Sequence, residues 1–329
     1  MTFHNRLLSS IMAVMLSLAW LGIASVASAQ SWPTQSIKLI NPLSAGSGPD
    51  ILSRIVADGL SKALGQQVIV ENRPGAANVL ATQAAAKAAA DGYTLLFAPS
   101  LALAVNPHTF KTLPYDAAND FVHIAMIGKA AFFIVAHPDL PAKSLPELIA
   151  LDKAKPDQLN VAVDGPKNSS GMLAAWLNKS AGMGMRLVSY STIQQGIQDT
   201  VSGRVQLAVI AGIVAKPLIE QGQLRPLAVS SAQRIAGSDQ VATIGETIPN
   251  LEFIGWFILS APAGTPAAIV ERVNRETAAI MDSVELRRRL LELGFYTDGA
   301  GTPASTAEFV RRQRVDWGRI VREIGLTAE

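Results

Sequence analysis

The residues able to do chemistry in this 329-residue chain gather in three turns. Ser44-Ala45-Gly46-Ser47-Gly48-Pro49-Asp50 follows a short β-branched run and precedes a helical pattern, and Pro74-Gly75-Ala76-Ala77-Asn78 and Asp164-Gly165-Pro166-Lys167-Asn168-Ser169-Ser170 occupy equivalent places further on. A helix N-terminus presents unpaired N–H groups and the positive end of the helix dipole, and in open α/β sheets ligands sit beyond the carboxyl ends of the strands. Three such turns facing one cleft would hold a carboxylate without an arginine. Gly, Ser, Asn and Asp are equally the ordinary residues of turns and helix caps. On these turns alone, a ligand cleft and plain loop chemistry both stay open.

Other chemistry is argued against by what is missing. Gly46-Ser47-Gly48 invites a dinucleotide reading, but the third glycine of that fingerprint is due at position 51, which is Ile51. The chain contains no phosphate-loop GxxxxGK[ST], no HExxH and no GxSxG. It has no cysteine, which removes disulfides, thiol nucleophiles and Cys-ligated zinc or iron–sulfur clusters, and only four histidines. His108, His123 and His137 stand beside proline or in apolar strands and read as packing or surface residues. No catalytic residue, metal or cofactor is expected.

The elements that must position the turns alternate. Strands are predicted at 37–40, 68–70 and 94–98, separated by helices opening at Asp50 and running over 78–90, a β-α-β-α-β series that implies a parallel sheet covered by helices. In the first helix Ile51, Ile55, Leu60 and Leu64 form the apolar series, stopped by Gly65. After Pro138 the series resumes: a capping-box helix from Ser144, strands at 159–163, 187–190, 205–210 and 227–230, and helices at 170–181 and 194–202. The last third is a strand at 253–260 and three helices starting at Pro266, Ser283 and a second capping box at Ser305.

Apolar residues make up 49% of the chain and 28 basic residues face 26 acidic ones, so real cores are possible and no strong field favours nucleic acid. Residues 1–29 read as a secretory signal: Arg6, an apolar stretch, then Ala27-Ser28-Ala29 before Gln30. Cleavage after Ala29 leaves an exported chain of about 300 residues. Arg287-Arg288-Arg289 and Arg311, Arg312 and Arg314 read as solvated helix faces offset by neighbouring glutamates. Trp256 and Phe257 fit either a ligand platform or a core between lobes.

Spaced strings over nearly the whole exported chain carry a resemblance. WPTQSIKLINPLSAGSGPD, ENRPGAANVLAT, DGYTLLFA, NPHTFKTLPYDAANDFVHIAMIG, HPDLPAKSLPELIALDKAKPDQLN, GQLRPLAVSSAQR and SAPAGTPAAIVERVN resemble, in order, segments of the tripartite tricarboxylate transporter substrate-binding proteins, the Bug family. The resemblance implies an α/β, two-lobed periplasmic binding protein fold, each lobe a mainly parallel sheet with flanking helices and the ligand cleft between. It implies lobe 1 at 31–128 and 255–329 and lobe 2 at 129–254, with crossings near 123–127 and 253–259. It also implies a monomeric, non-enzymatic protein that delivers a small organic acid to membrane permease subunits. A sensor feeding a signalling receptor and, from another class, an exported hydrolase are the alternatives.

Carried over by residue, the ligand positions are Ser44, Ala45, Gly46 and Ser47, with Asp50 opening the helix. Ala77 and Asn78 follow in the second turn and Ser100 after the third strand. Gly165, Ser169, Ser170 and Tyr190 are their counterparts on the second lobe. The chain departs from the family at Asp164 and Lys167, at Ser191-Thr192 after Tyr190, at Gln206, and near Ala211, where an acid is usual. A carboxylate at Asp164 would repel an anion unless Lys167 pairs with it or the ligand carries a cation. This pattern points to an amino- or aromatic monocarboxylate rather than a plain dicarboxylate.

Overall fold

In the computed structural model, which describes residues 32–166 and 168–328, strands β1 (Ile37–Asn41), β2 (Val68–Asn72) and β3 (Thr94–Pro99) pair in parallel with β1 in the middle. Ile37, Leu39 and Ile40 are all buried, as expected where helices cover both faces of a parallel sheet. Helix α1 (Gly48–Leu64) has Ser47 as N-cap and Gly65 at the left-handed C-cap, φ 71°. Its buried stripe is Leu52, Val56, Leu60 and Leu64, so Ile51 and Ile55 are only half-buried, one position off the expected series. Helix α2 (Val79–Ala86) stops short of the expected residue 90, because residues 87–93 already turn toward β3.

Strand β4 (Phe121–Ala136), longer than the segment foreseen around 123–127, organises the rest. Up to Ala131 it pairs with β9 (Ile254–Pro262); from Phe132 onward it pairs with β7 (Leu207–Ala211) and β8 (Arg225–Val229). Beyond β7 lie β5 (Asn160–Val163) and β6 (Arg186–Ser189), parallel to it. Helices α4 (Leu145–Ala154), α5 (Ser169–Ala181), α6 (Ile193–Val201) and α7 (Gly212–Glu220) connect these strands, after the short α3 (Asn106–Thr109). The result is two α/β lobes sharing one strand.

Along one edge of β4, β8 ends and β9 begins. Ser230 joins them: its N–H donates to Phe132 O (2.9 Å), its hydroxyl accepts from Phe132 N (2.9 Å) and donates to Phe253 O (2.5 Å), and its carbonyl accepts from Phe253 N (2.9 Å). Along the other edge β7 ends opposite Phe132, and β10 (Phe295–Tyr296) begins opposite Ala130. There the backbones of Gly294 and Ile213 touch; a Cβ on Gly294 (φ 74°) would stand 2.6 Å from Ile213 Cα.

Helices α8 (Ala267–Met281), α9 (Val284–Glu292) and α10 (Pro303–Glu323) complete the fold. Helix α10 starts earlier than the capping box expected at Ser305: Thr302 is the N-cap, trading hydrogen bonds with Ser305, with Pro303 in the first turn. Glu308 is instead drawn to Arg311 at 2.7 Å. At Ser144 only half of the expected box forms: its hydroxyl accepts from Glu147 N, while the Glu147 carboxylate takes Lys143 N–H (2.8 Å). One apolar core runs unbroken through both lobes, with Trp317 edge-on to Phe253 at 4.6 Å and the Trp176 indole donating to Glu323 at 2.6 Å. Trp256 belongs to that core, fully buried and donating to Gln313 at 3.0 Å. The 1–29 segment lies outside the described residues.

Candidate functional site

The pairing registers bring the strand ends together. Pro99 at the end of β3 stands level with Phe257, and Phe257 with Gly128, close to the point where β4 changes partners. From the other side Ala211, the end of β7, stands opposite Phe132, and β5 and β6 run parallel to β7. The carboxyl ends of both parallel sets therefore point at one junction.

The first turn is held from below by polar side chains. Asp50 is buried, and its carboxylate accepts from Gly46 N–H (2.8 Å), Arg54 Nε (3.0 Å), Asn72 Nδ2 (2.7 Å) and Asn41 Nδ2 (3.3 Å). Burial alone would raise its pKa; the bonds from Asn72, Arg54 and Gly46, with the Arg54 charge, outweigh it and hold the carboxyl below its ordinary value. Asn41 and Asn72, the last residues of β1 and β2, also bind Leu43 N–H (3.0 Å) and Leu43 O (2.9 Å). This network fixes the backbone while Ser44, Ala45 and Gly46 remain exposed and Ser47 half-buried. Asp50 thus positions the turn from beneath, its oxygens already occupied.

The second turn is strained. Ala76, Ala77 and Asn78 all have positive φ (46°, 51° and 71°), a conformation that costs each alanine about 1–2 kcal/mol and that Asn adopts more readily. Asn106 Nδ2 holds it by donating to Ala77 O (2.8 Å), and the Thr82 hydroxyl donates to Asn78 O (2.8 Å). Strain of this kind persists where the surroundings over-determine it, commonly at ligand sites. Ser100, mostly buried, is the first residue past β3 and leads into a π-turn, Leu101–Val105.

On the second lobe the polar groups are largely engaged with each other. The Ser170 hydroxyl accepts from Asp164 N (2.9 Å) and donates to the Asp164 carboxylate, while Asn168 Nδ2 donates to Asp164 O (2.8 Å). Gly165 (φ 135°) permits this loop, which packs so closely that a Cβ on Gly171 would meet the Gly165 carbonyl. Ser169 opens α5, half-buried. Tyr190 donates its hydroxyl to Asp199 (2.9 Å), and burial, with Asp199 next, raises its pKa. Lys167 lies outside the described residues.

The thirteen described candidates thus sit at the strand ends of the junction, while Asn41, Asn72 and Asn106, which shape two of the turns, escaped the sequence reading. Their only signal was a polar residue at the end of an apolar run. A cavity of about 380 Å³ lies elsewhere on the junction, between the 232–236 loop and α9, and none of the candidates lines it. Among the described residues there is no cluster of three or more His, Asp or Glu able to hold a metal, and no helix long and apolar enough to cross a membrane.

A family profile described as the tripartite tricarboxylate transporter family receptor matches residues 52–326. A UPF0065 protein of Bordetella bronchiseptica is 35% identical over 298 residues, covering 90% of this chain and 88% of its own. Protein BugT of Bordetella pertussis is 32% identical, covering 94% and 95%. Among solved structures, that of R. palustris Rpa4515 with adipate superposes with a TM-score of 0.76 at 30% identity, covering 91% of this chain and all of that one. With its two lobes, shared strand and facing strand ends, the chain belongs to the tripartite tricarboxylate transporter receptor family of periplasmic solute-binding proteins.

Proposed function

We propose that this protein is exported, with its signal removed after Ala29, and captures a small organic carboxylate in the periplasm. Capture takes place between a first lobe of residues 31–128 and 255–329 and a second of 129–254, and the cargo passes to the membrane subunits of a tripartite tricarboxylate-type transporter. It acts as a monomer without catalysis. The observation carrying this reading is the convergence of both sets of parallel strand ends on one junction; turn amides and small hydroxyls there would meet a carboxylate without an arginine. The exposed turn at Ser44, Ala45, Gly46 and Ser47 supplies the primary contacts, with Ala77, Asn78 and Ser100 beside it. Ser169, Ser170, Gly165 and Tyr190 stand on the facing wall. That a 30%-identical relative was solved with adipate supports the ligand class. Lobe closure over the ligand would present a joint surface to the permease.

The test is thermal unfolding of residues 30–329, unfolded and refolded to strip any carried-over ligand, against mono-, di-, tri- and amino-carboxylates. A ligand at about 1,000 times its Kd adds about 4 kcal/mol, a shift of several degrees. A carboxylate hit is the expected result. A panel with no shift at millimolar concentration, or turnover of any member, overturns the reading.

A further inference from the structure

Two adjoining spaces open beside β4 where the lobes face each other, and none of the residues at the strand-end turns lines either. The larger, about 380 Å³, is bounded by the 232–236 loop on one side and by α9 and residues 296–298 on the other, with Lys129 and Glu252 on its walls. The smaller, about 30 Å³, continues past Phe133 and Phe295 and has Lys216 of α7 on its wall. Ile235, Ala236, Leu291 and Tyr296 line both, so the passage between them is largely apolar.

The cations of the larger space are already engaged. Lys129 bonds Asp298, Arg234 bonds Glu246 at 2.7 Å, and Arg287 bonds Asp282 at 2.7 Å. Glu252 is then the one charged group of that wall in no ion pair among the described residues, and Lys216, the one charged group of the smaller space, is likewise in none. The Glu252 residue is exposed, yet the protein packed around its carboxyl raises the pKa, with Lys129 opposing and Asp316 and Asp298 adding. A positive charge brought to it is therefore favoured.

We infer that this interlobe cavity is a second binding site, for a zwitterion whose charges stand at opposite ends of an apolar body, the ammonium at Glu252 and the carboxylate at Lys216. The inference does not depend on the solute-binding reading above, which concerns the strand-end turns. A cavity of this volume is in the range that small-molecule ligands occupy. A singly charged molecule would fill the passage but leave one end of the site desolvated without a partner. A zwitterion meets both ends, and its methylenes cover Ile235 and Leu291. Because Glu252 and Lys216 line different spaces, an α-amino acid, with both charges on one carbon, reaches only one of them.

Titration calorimetry of residues 30–329 tests this with 4-aminobutanoate, 6-aminohexanoate and 8-aminooctanoate, each against the alkylamine of the same carbon number. One of the three is expected to bind at least about tenfold more tightly than its alkylamine, which has no carboxylate for Lys216. Glu252→Gln and Lys216→Met keep the size and remove the charge, and each is expected to weaken that ω-amino acid about tenfold. In Lys216→Met the ω-amino acid should bind no better than the alkylamine. Circular dichroism melts confirm that both variants are folded. No binding of any of the three at millimolar concentration, or an alkylamine that binds as tightly, overturns the inference. An affinity unmoved in either variant also overturns it, and unmoved in both would move the ω-amino acid to the strand-end turns, where neither residue lies.

Discussion

Replacing Asp50 with Asn tests whether the first turn is built from beneath. The substitution keeps the shape and removes the charge, so it isolates the four hydrogen bonds the carboxylate accepts. The oxygen that becomes NH2 faces donors on either choice of amide orientation. Turned one way it opposes Gly46 N–H and Arg54; turned the other it opposes Asn41 and Asn72. Arg54, with 49% of its side chain exposed, can turn to water, whereas Asn41 is fully buried. A bond to a charged group contributes about 1.5–3 kcal/mol and an orphaned buried donor costs about 1–3 kcal/mol, so the loss should be about 2–4 kcal/mol. Against a typical total of about 5–15 kcal/mol the variant still folds. Urea unfolding at pH 7 reads the loss, and affinity for whichever carboxylate binds should fall with it. The pH dependence gives an independent check. The folded pKa is depressed, so the contribution is complete above the unfolded value near 3.8 and disappears as pH falls through the folded pKa. The gap between wild type and Asp50→Asn should hold from neutral pH to about pH 5 and close below 4. A loss under about 0.5 kcal/mol at pH 7, or a gap that persists undiminished at pH 2, would mean that the ionised carboxylate does not brace the turn.

Two further perturbations probe the junction. Gly294→Ala forces a left-handed Cβ to within 2.6 Å of the Ile213 backbone, so a loss of about 3 kcal/mol or more in urea unfolding is expected, or a more open shape in small-angle scattering. Neither change would mean that the backbones part at no cost. His123, buried and bonded to Ser260 Oγ (3.0 Å), has its pKa pushed down to about 4 by burial, with the Arg314 charge adding. The unfolded chain takes this proton near pH 6.5, so stability should fall by about 3 kcal/mol between pH 6.5 and 4, and His123→Gln should flatten that slope.

The sequence carried the alternation of strands and helices well because most of the strands are short apolar runs, and because Ser47, Gly65 and Ser283 are caps of the usual kinds. It could not carry the change of partners within β4. The sequence predicts only a crossing near 123–127, and nothing local in 121–136 distinguishes Ala131, paired with Ile254, from Phe132, paired with Ala211. Thr302 and Ser305 are both good caps three residues apart, and Pro303 at the first helical position is the residue that favours Thr302. At the site, the turns were legible by composition and by resemblance, while the direction of their side chains was not. Asp164 looked like a charge facing the ligand; in the structure Ser170 draws it back into its own loop. Asn41 and Asn72 fall just beyond the predicted strands 37–40 and 68–70, yet they carry the first turn because Asp50 lies between them in space, a proximity set by the pairing of β1 with β2.

The same junction indicates where the lobes can turn. On the β8–β9 edge, Ser230 makes four hydrogen bonds to Phe132 and Phe253, and it is fully buried. A motion separating β8 from β9 there would break them together, at about 1 kcal/mol net each and more if any were left unsatisfied. Behind them Trp317 rests on Phe253, and Glu323 holds Trp176, so α10 ties that side of both lobes as well. On the other edge Gly294 and Ile213 meet through backbone contact rather than through a ladder of hydrogen bonds. Separating that contact forfeits dispersion and the burial of Ile213 but orphans few polar groups. The axis of least cost therefore runs close to β4 and Ser230, and rotation about it changes the gap between α7 and the N-terminus of α1. In that gap Ile213 Cδ1 lies 3.5 Å from the point a Cβ on Gly48 would occupy, so the approach of α7 to α1 is set there by side-chain contact rather than by hydrogen bonds.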